Sequence, residues 1–289
     1  MPIVTTNELL IKAREGNYAV AAFNTNNLEY TQAIVQAASE LHAPVIVAAT
    51  EYELHYMGGY AFVAMVKAIA RDVKIPIAIH LDHGPSYEEV IRCLRYGMTS
   101  VMYDGSLLPL EQNIANTRKI VEAAHACGVT VEGEIGVIGQ AADAHEGEGA
   151  AIDADLVGLA DPDECVQFVQ ETKVDSFAAA IGNAHGLYKR KPELHFELLD
   201  EIYGRTNTPL VLHGGTGIPT EDVQKAITKG VAKINFSTVM RKGVIEALRA
   251  SLDANPNELN YMKLLAPATQ RMVDIAKEHI IMCMSEGKA

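Results

Sequence analysis

Three histidines, His83, His185 and His213, stand where apolar runs give out, within Ile79-His80-Leu81-Asp82-His83-Gly84, Asn183-Ala184-His185-Gly186 and Leu212-His213-Gly214-Gly215. Neutral imidazole is a good zinc ligand, and three protein ligands with an open fourth position are the arrangement of a catalytic rather than a structural zinc site. Asp82 sits beside one of these histidines and offers a carboxylate for proton transfer. The ligands are far apart in the chain, so only a fold that gathers the ends of many strands at one face can bring them together.

The chain supplies such strands. Short apolar runs alternate with longer helical patterns, the signature of repeated βα units and a parallel sheet. The runs predict strands at Ala19–Phe23, Val45–Ala48, Ile77–Leu81, Ser100–Met102, Val129–Glu134, Ser176–Ala180, Leu210–Leu212 and Ala232–Asn235, most of them continuously apolar as buried parallel strands require. Helix signals fill the gaps: Ser86 with Glu89 reads as a capping box, Gly97 as a stop, and Asp161-Pro162 as a start with proline at the first helical position. The expectation is an α/β fold, a (β/α)8 TIM barrel spanning 1–289 as a single domain with a C-terminal helical extension. Active sites of this barrel lie at the carboxyl ends of the strands, where the histidines stand.

A length of 289 residues, 48% hydrophobic and 21% charged, suits one large α/β domain. No apolar run reaches the roughly 18 residues of a membrane span, and no charged-then-apolar leader precedes Met1-Pro2-Ile3-Val4, so a cytoplasmic protein without membrane contact is expected. Cys93, Cys127, Cys165 and Cys283 fall singly and read as reduced core residues. A net charge of −13 argues against nucleic-acid binding, because phosphate backbones call for clustered Lys and Arg. Any anionic ligand must be held locally.

Further polar groups fall at the same level of the barrel: Asn24 after strand one, Asp104 after strand four, Glu132 and Glu134 ending strand five, and Asn235 ending strand eight. His80, by strand alternation, packs or orients a neighbour rather than ligating. Taken one at a time, most such residues are structural; their convergence on one rim points to a metal with its substrate. His42, His55, His125, His195 and His279 lie on helical or loop segments and carry no such signal. Gly214, Gly215 and Thr216 after strand seven, with Asn235, Ser237 and Thr238 after strand eight, offer backbone N–H groups and hydroxyls at the usual phosphate site of this barrel, with Gly186 and Lys189 adding a donor and a charge.

On the motifs Leu81-Asp82-His83-Gly84, Val131-Glu132-Gly133-Glu134-Ile135-Gly136, Ala184-His185-Gly186, Leu212-His213-Gly214 and Lys233-Ile234-Asn235, the chain resembles the class II, metal-dependent fructose- or tagatose-bisphosphate aldolases nearly end to end. The resemblance implies zinc on His83, His185 and His213, Asp82 as catalytic acid/base, and a dihydroxyacetone-phosphate site at Gly186, Lys189, Gly214–Thr216 and Asn235–Thr238. Asp104 and Glu134 match positions tied to alternative metal placement or to support of the ligands. It also implies a monovalent cation (Na+ or K+) near the phosphate and a homodimer or homotetramer. The expected reaction cleaves or forms the C3–C4 bond of a ketose 1-phosphate or 1,6-bisphosphate, in carbohydrate metabolism of the glycolytic kind, giving dihydroxyacetone phosphate and an aldehyde such as glyceraldehyde 3-phosphate.

The chain departs from that pattern in three places. The proton-shuttle glutamate of the family belongs to the loop Gly139–Gly149, where this sequence offers Asp143, Glu146 or Glu148, with Glu146 preferred. Lys277 aligns with an arginine that a neighbouring subunit gives to the second phosphate, and a lysine lacks the bidentate fork. Thr50 replaces a serine beside the reacting carbons. The aldehyde half is thus open to a related, non-bisphosphate ketose phosphate. Rival expectations are a Schiff-base aldolase using Lys233, a barrel hydrolase, for which a His-x-His is missing from strand one, and a sugar-phosphate-binding barrel without catalysis.

Overall fold

The computed structural model of the chain describes residues 2–139, 158–186, 188 and 192–289. Its strands are β1 (Val20–Asn24), β2 (Val45–Ala49), β3 (Ile77–Gly84), β4 (Ser100–Tyr103), β5 (Thr130–Ile135), β6 (Ser176–Ala179), β7 (Leu210–Leu212) and β8 (Val231–Phe236). They are parallel and close in sequence order, β8 returning to β1 with Ala22 opposite Asn235. The helices are α1 (Thr6–Glu15), α2 (Leu28–Glu40), α3 (Glu51–Met57), α4 (Gly59–Ile69), α5 (Tyr87–Tyr96), α6 (Leu110–Ala126), α7 (Pro162–Thr172), α8 (Phe196–Thr206), α9 (Thr220–Ile227), α10 (Thr238–Ala254) and α11 (Tyr261–Met282). This is the (β/α)8 barrel that the apolar runs predict, because strands covered by helices outside and by side chains inside have no wet face to alternate toward.

Helix ends follow the local chemistry. Asp161 accepts from the Asp163 and Glu164 amides at 2.8 and 3.1 Å to start α7. Ser86 accepts from the Glu89 amide at 3.1 Å, but the Glu89 carboxylate turns to Arg92, so only half of the expected capping box forms. Gly97, at φ +89°, closes α5 in the left-handed conformation that glycine adopts without strain. Cys93, Cys165 and Cys283 are buried thiols, whereas Cys127 is exposed, at the hydrophilic end of α6, contrary to the reading of all four as core residues.

Two features set up the site. Helix α1 plugs the strand-start end of the barrel: Leu9, Leu10 and Ala13 pack with Val20, Ala22, Ile46, Ala78 and Ala232 in an apolar floor of their own. Full burial of a side chain such as Leu10 contributes about 1.5–3 kcal/mol, enough to hold the helix as a plug. The C-terminal extension, α10 and α11, packs pairwise and against α2 on the outside.

At the opposite end, β3 runs past its predicted end at Leu81. Leu81 pairs with Val101 and Gly84 with Tyr103, so three steps on β3 oppose two on β4. His83 takes up the extra residue at φ +45°. Simple alternation would send Asp82 and His83 to opposite faces of the sheet; the bulge lets both reach the barrel mouth. Among the described residues no helix is long and apolar enough to cross a membrane.

Candidate active site

His83, His185 and His213 come from the ends of β3, β6 and β7, and each offers a ring nitrogen within 4.8 Å of the other two. Their ring centroids are 4.5 to 5.6 Å apart, all edge to face. The other nitrogen of two rings is already engaged. His83 Nδ1 lies 3.0 Å from Asp104 Oδ2, and His213 Nε2 lies 2.9 Å from Glu132 Oε1. A carboxylate that takes the N–H of one nitrogen fixes the tautomer and leaves the lone pair of the other for a metal. The donor set therefore fits a cation with three imidazole ligands and an open position. Asp104 and Glu134 form a second grouping with His83, also within 4.8 Å. Burial, then the Asp104 charge, pushes the Glu134 carboxyl well above the ordinary range, and its Oε2 is buried without a hydrogen-bond partner.

Asp82 is fully buried between two amides. Asn24 Nδ2 donates to Oδ2 at 2.9 Å and Asn235 Nδ2 to Oδ1 at 2.8 Å. Burial alone would raise its pKa, but the neighbouring His83, His213, Lys233 and His80 outweigh that and hold it well below the ordinary carboxylate range. Asn235 Nδ2 also stands 3.4 Å from His213 Nδ1, joining the carboxylate to the histidine set. The amide oxygens of Asn24 and Asn235 are buried without a partner, two acceptors available to a ligand hydroxyl.

Below these groups, Lys233 Nζ is fully buried, 2.7 and 3.0 Å from the two Glu132 oxygens and 3.1 Å from His80 Nε2. Fully buried and held by these contacts, the amine is not presented to a substrate carbonyl as Schiff-base chemistry needs. Burial, with Lys233 beside it, pushes His80 down to about 3, so the ring is neutral and accepts from the ammonium. Despite burial, Lys233 and the His213 hydrogen bond lower Glu132 to about 2.

The phosphate candidates also meet. His185, Gly186, Gly214, Thr216, Asn235, Ser237 and Thr238 line one cavity over the N-terminus of α10. Backbone N–H groups at a helix start are a ready anion site, and Ser237 Oγ is buried there without a partner. Gly214, at φ +66°, could carry no Cβ, which would lie 2.0 Å from the Ala184 carbonyl. Tyr188, which carries no sequence motif, pins this region: its hydroxyl accepts from the Ala184 amide at 2.8 Å and donates to the Gly214 carbonyl at 3.1 Å.

Thr50 caps α3 beside this site, with its amide and hydroxyl 2.7 and 3.1 Å from Glu53 Oε2. Glu53 is buried, pairs with Arg241 from the first turn of α10 at 2.5 Å, and stands 3.5 Å from Asn24 Nδ2. Neither residue was anticipated, although Thr50-x-x-Glu53 is a legible capping box. Lys277 does not join the site of its own subunit. It pairs with Glu40 at the far end of α2, near the strand starts, because α11 lies along the outside of the barrel. Lys189, Asp143, Glu146 and Glu148 lie outside the described residues.

Known proteins resemble the chain over nearly its whole length. The family description "Fructose-bisphosphate aldolase class-II" matches residues 4–288. A Bacillus subtilis (strain 168) protein described as a probable fructose-bisphosphate aldolase is 46% identical over 289 residues, covering 99% of this chain and 98% of that one. The fructose-bisphosphate aldolase of Staphylococcus aureus (strain Mu50) is 44% identical over 283 residues, covering 97% and 96%. Among solved structures, the YdjI aldolase of Escherichia coli K12 superposes with a TM-score of 0.85 at 31% identity, over 99% of both chains.

Proposed function

Because the chain belongs to the class II fructose-bisphosphate aldolase family, and is thereby an aldehyde-lyase, we propose that it cleaves a ketose 1-phosphate or 1,6-bisphosphate between C3 and C4. The products are dihydroxyacetone phosphate and an aldehyde such as glyceraldehyde 3-phosphate. The observation that carries this reading is the double contact of Asn235, 2.8 Å from Asp82 and 3.4 Å from His213, which sets a base directly against the ligand cluster.

His83, His185 and His213 would hold zinc, the general metal of the class, which would supply polarisation of the ketose C2 carbonyl. Asp104 and Glu134 support that set or offer a second seat beside His83. Asp82, ionised at neutral pH, takes the C4 hydroxyl proton as the C3–C4 bond opens. Its two amide partners fix the carboxylate plane while leaving lone pairs for the substrate. The amide oxygens of Asn24 and Asn235 accept from substrate hydroxyls. The 1-phosphate sits on Gly186, Gly214, Gly215, Thr216, Asn235, Ser237 and Thr238, with Lys189 adding a charge and Na+ or K+ beside it. Glu146, preferred over Asp143 and Glu148, gives its own proton to C3 and regains one from solvent as Asp82 releases the one it took, and the assembly is a homodimer or homotetramer.

A related ketose phosphate with an unphosphorylated aldehyde half is the second reading. It is favoured by Lys277 standing where relatives carry an arginine, a point charge without the bidentate fork and already paired with Glu40. Both readings are tested by one panel of ketose 1-phosphates and 1,6-bisphosphates of fructose and tagatose configuration, assayed before and after chelation and after zinc restoration. Activity should vanish with the metal and return with it. His213→Ala should lose zinc and turnover together, and full zinc content in that variant would refute the ligand assignment.

A further inference from the structure

A continuous line of buried polar side chains runs along the barrel axis from the α1 plug to the histidine cluster. Thr130 Oγ1 lies 2.7 Å from Thr6 Oγ1, which lies 2.9 Å from Ser100 Oγ, itself 2.8 Å from His80 Nδ1. From His80 Nε2 the line passes to Lys233 at 3.1 Å, to Glu132 at 2.7 Å and to His213 Nε2 at 2.9 Å. All these residues are buried, His80, Lys233 and His213 completely. Water cannot rescue a group that loses its partner here, so each hydrogen bond matters more than it would at the surface.

The direction of every bond follows from one fixed point. An ammonium only donates, so Lys233 donates to both Glu132 and His80 Nε2. His80 must then carry its proton on Nδ1 and donate to Ser100. Ser100 passes a donor to Thr6, Thr6 to Thr130, and Thr130 to the Thr99 carbonyl at 3.3 Å. On the other side, Glu132 accepts from both Lys233 and His213, which places the His213 proton on Nε2 and turns the Nδ1 lone pair to the cluster. Reversing any one bond would leave a buried donor facing a donor.

We propose that His80 is a positioning residue for metal binding. Anchored through Ser100 and Thr6 at the closed end of the barrel, it holds Lys233, and thereby Glu132 and the ligating tautomer of His213. His80 touches neither substrate nor metal. The inference rests on the zinc reading of the three histidines.

The test is the zinc dissociation constant of the metal-stripped full-length protein, measured by competition with a chromophoric chelator, with far-UV circular dichroism as the check on folding. Loss of a partner bonded directly to a ligand, as Glu132 is to His213, typically weakens metal binding about 10- to 100-fold, and a loss passed on through Lys233 belongs at the lower end, about 10-fold. His80→Leu should show a loss of that size. His80→Gln, which keeps an acceptor facing Lys233, should bind zinc close to the wild-type affinity, and Ser100→Ala should fall between the two. Wild-type affinity in folded His80→Leu would overturn the proposal, as would equal weakening in the Leu and Gln variants, which would point to packing alone. If His80→Leu does not fold, Ser100→Ala decides, and unchanged zinc affinity there refutes the anchor. Failure of the zinc reading looks different: the wild-type protein itself would not bind one zinc per chain.

Discussion

The two sides of the barrel mouth are built of different material. Toward β6, β7 and β8 the wall is main chain: Gly186, Gly214 and the N-terminus of α10 present backbone groups to the cavity, and Tyr188 ties two of the loops together. Toward β1 and β2 it is side chain: Asn24, Thr50, Glu53 and Arg241 reach one another across three elements. A backbone wall admits little variation, since a Cβ on Gly214 would strike the Ala184 carbonyl. A wall of side chains can be retuned one residue at a time. Under the proposed function the constant part of the substrate would face the rigid wall, and the part that differs between ketoses the adjustable one.

Asp82 sits where the walls meet, so its loss should reduce cleavage of every ketose phosphate alike. Asp82→Ala is expected to lower kcat by about 10²- to 10⁴-fold while keeping zinc, as read by metal analysis of the purified variant; a loss confined to one substrate would break the division. Gly214→Ala strikes the rigid wall alone. A shift of about 1 Å in the phosphate cradle should cost about 10²-fold in kcat/KM on phosphorylated ketoses, equally for monophosphates and bisphosphates.

Arg241→Ala strikes the adjustable wall. Removing one partner of a largely buried ion pair costs about 3–5 kcal/mol, so urea unfolding should register a fall of that order. Turnover should then depend on the aldehyde half while the dihydroxyacetone-phosphate end binds as before, which a comparison of KM for free dihydroxyacetone phosphate would check. The smallest effect belongs to Lys277→Ala. A half-exposed pair with Glu40 is worth about 0–1 kcal/mol, and KM for mono- and bisphosphates should stay put. A selective rise for bisphosphates would show that the lysine serves a neighbouring subunit.

The barrel could be read from the chain because buried parallel strands are unbroken apolar runs, and so could the meeting of strand-end glycines and hydroxyls in one cavity, because the ends of consecutive barrel strands share a rim. Asp82 and His83 were legible as neighbours in sequence, but not the means of turning both inward, since a bulge with His83 at φ +45° leaves no mark in composition. Glu53 and Arg241 read as ordinary helical residues. Their meeting depends on how the starts of α3 and α10 come together, a contact between residues 188 apart in the chain. Lys277 was placed by alignment alone, and alignment does not say which end of the barrel a helix surface faces.

The left-handed turn of His83 carries a cost that does not depend on any ligand. A non-glycine residue there is held by its surroundings against its own preference, so replacing it with glycine would relax the main chain and at the same time remove an imidazole. Glycine at position 83 would thus trade that relief against the lost Asp104 hydrogen bond and silence the enzyme in either case. The useful route to a hardier catalyst lies in the outer helices, where endurance and turnover do not compete for the same residue.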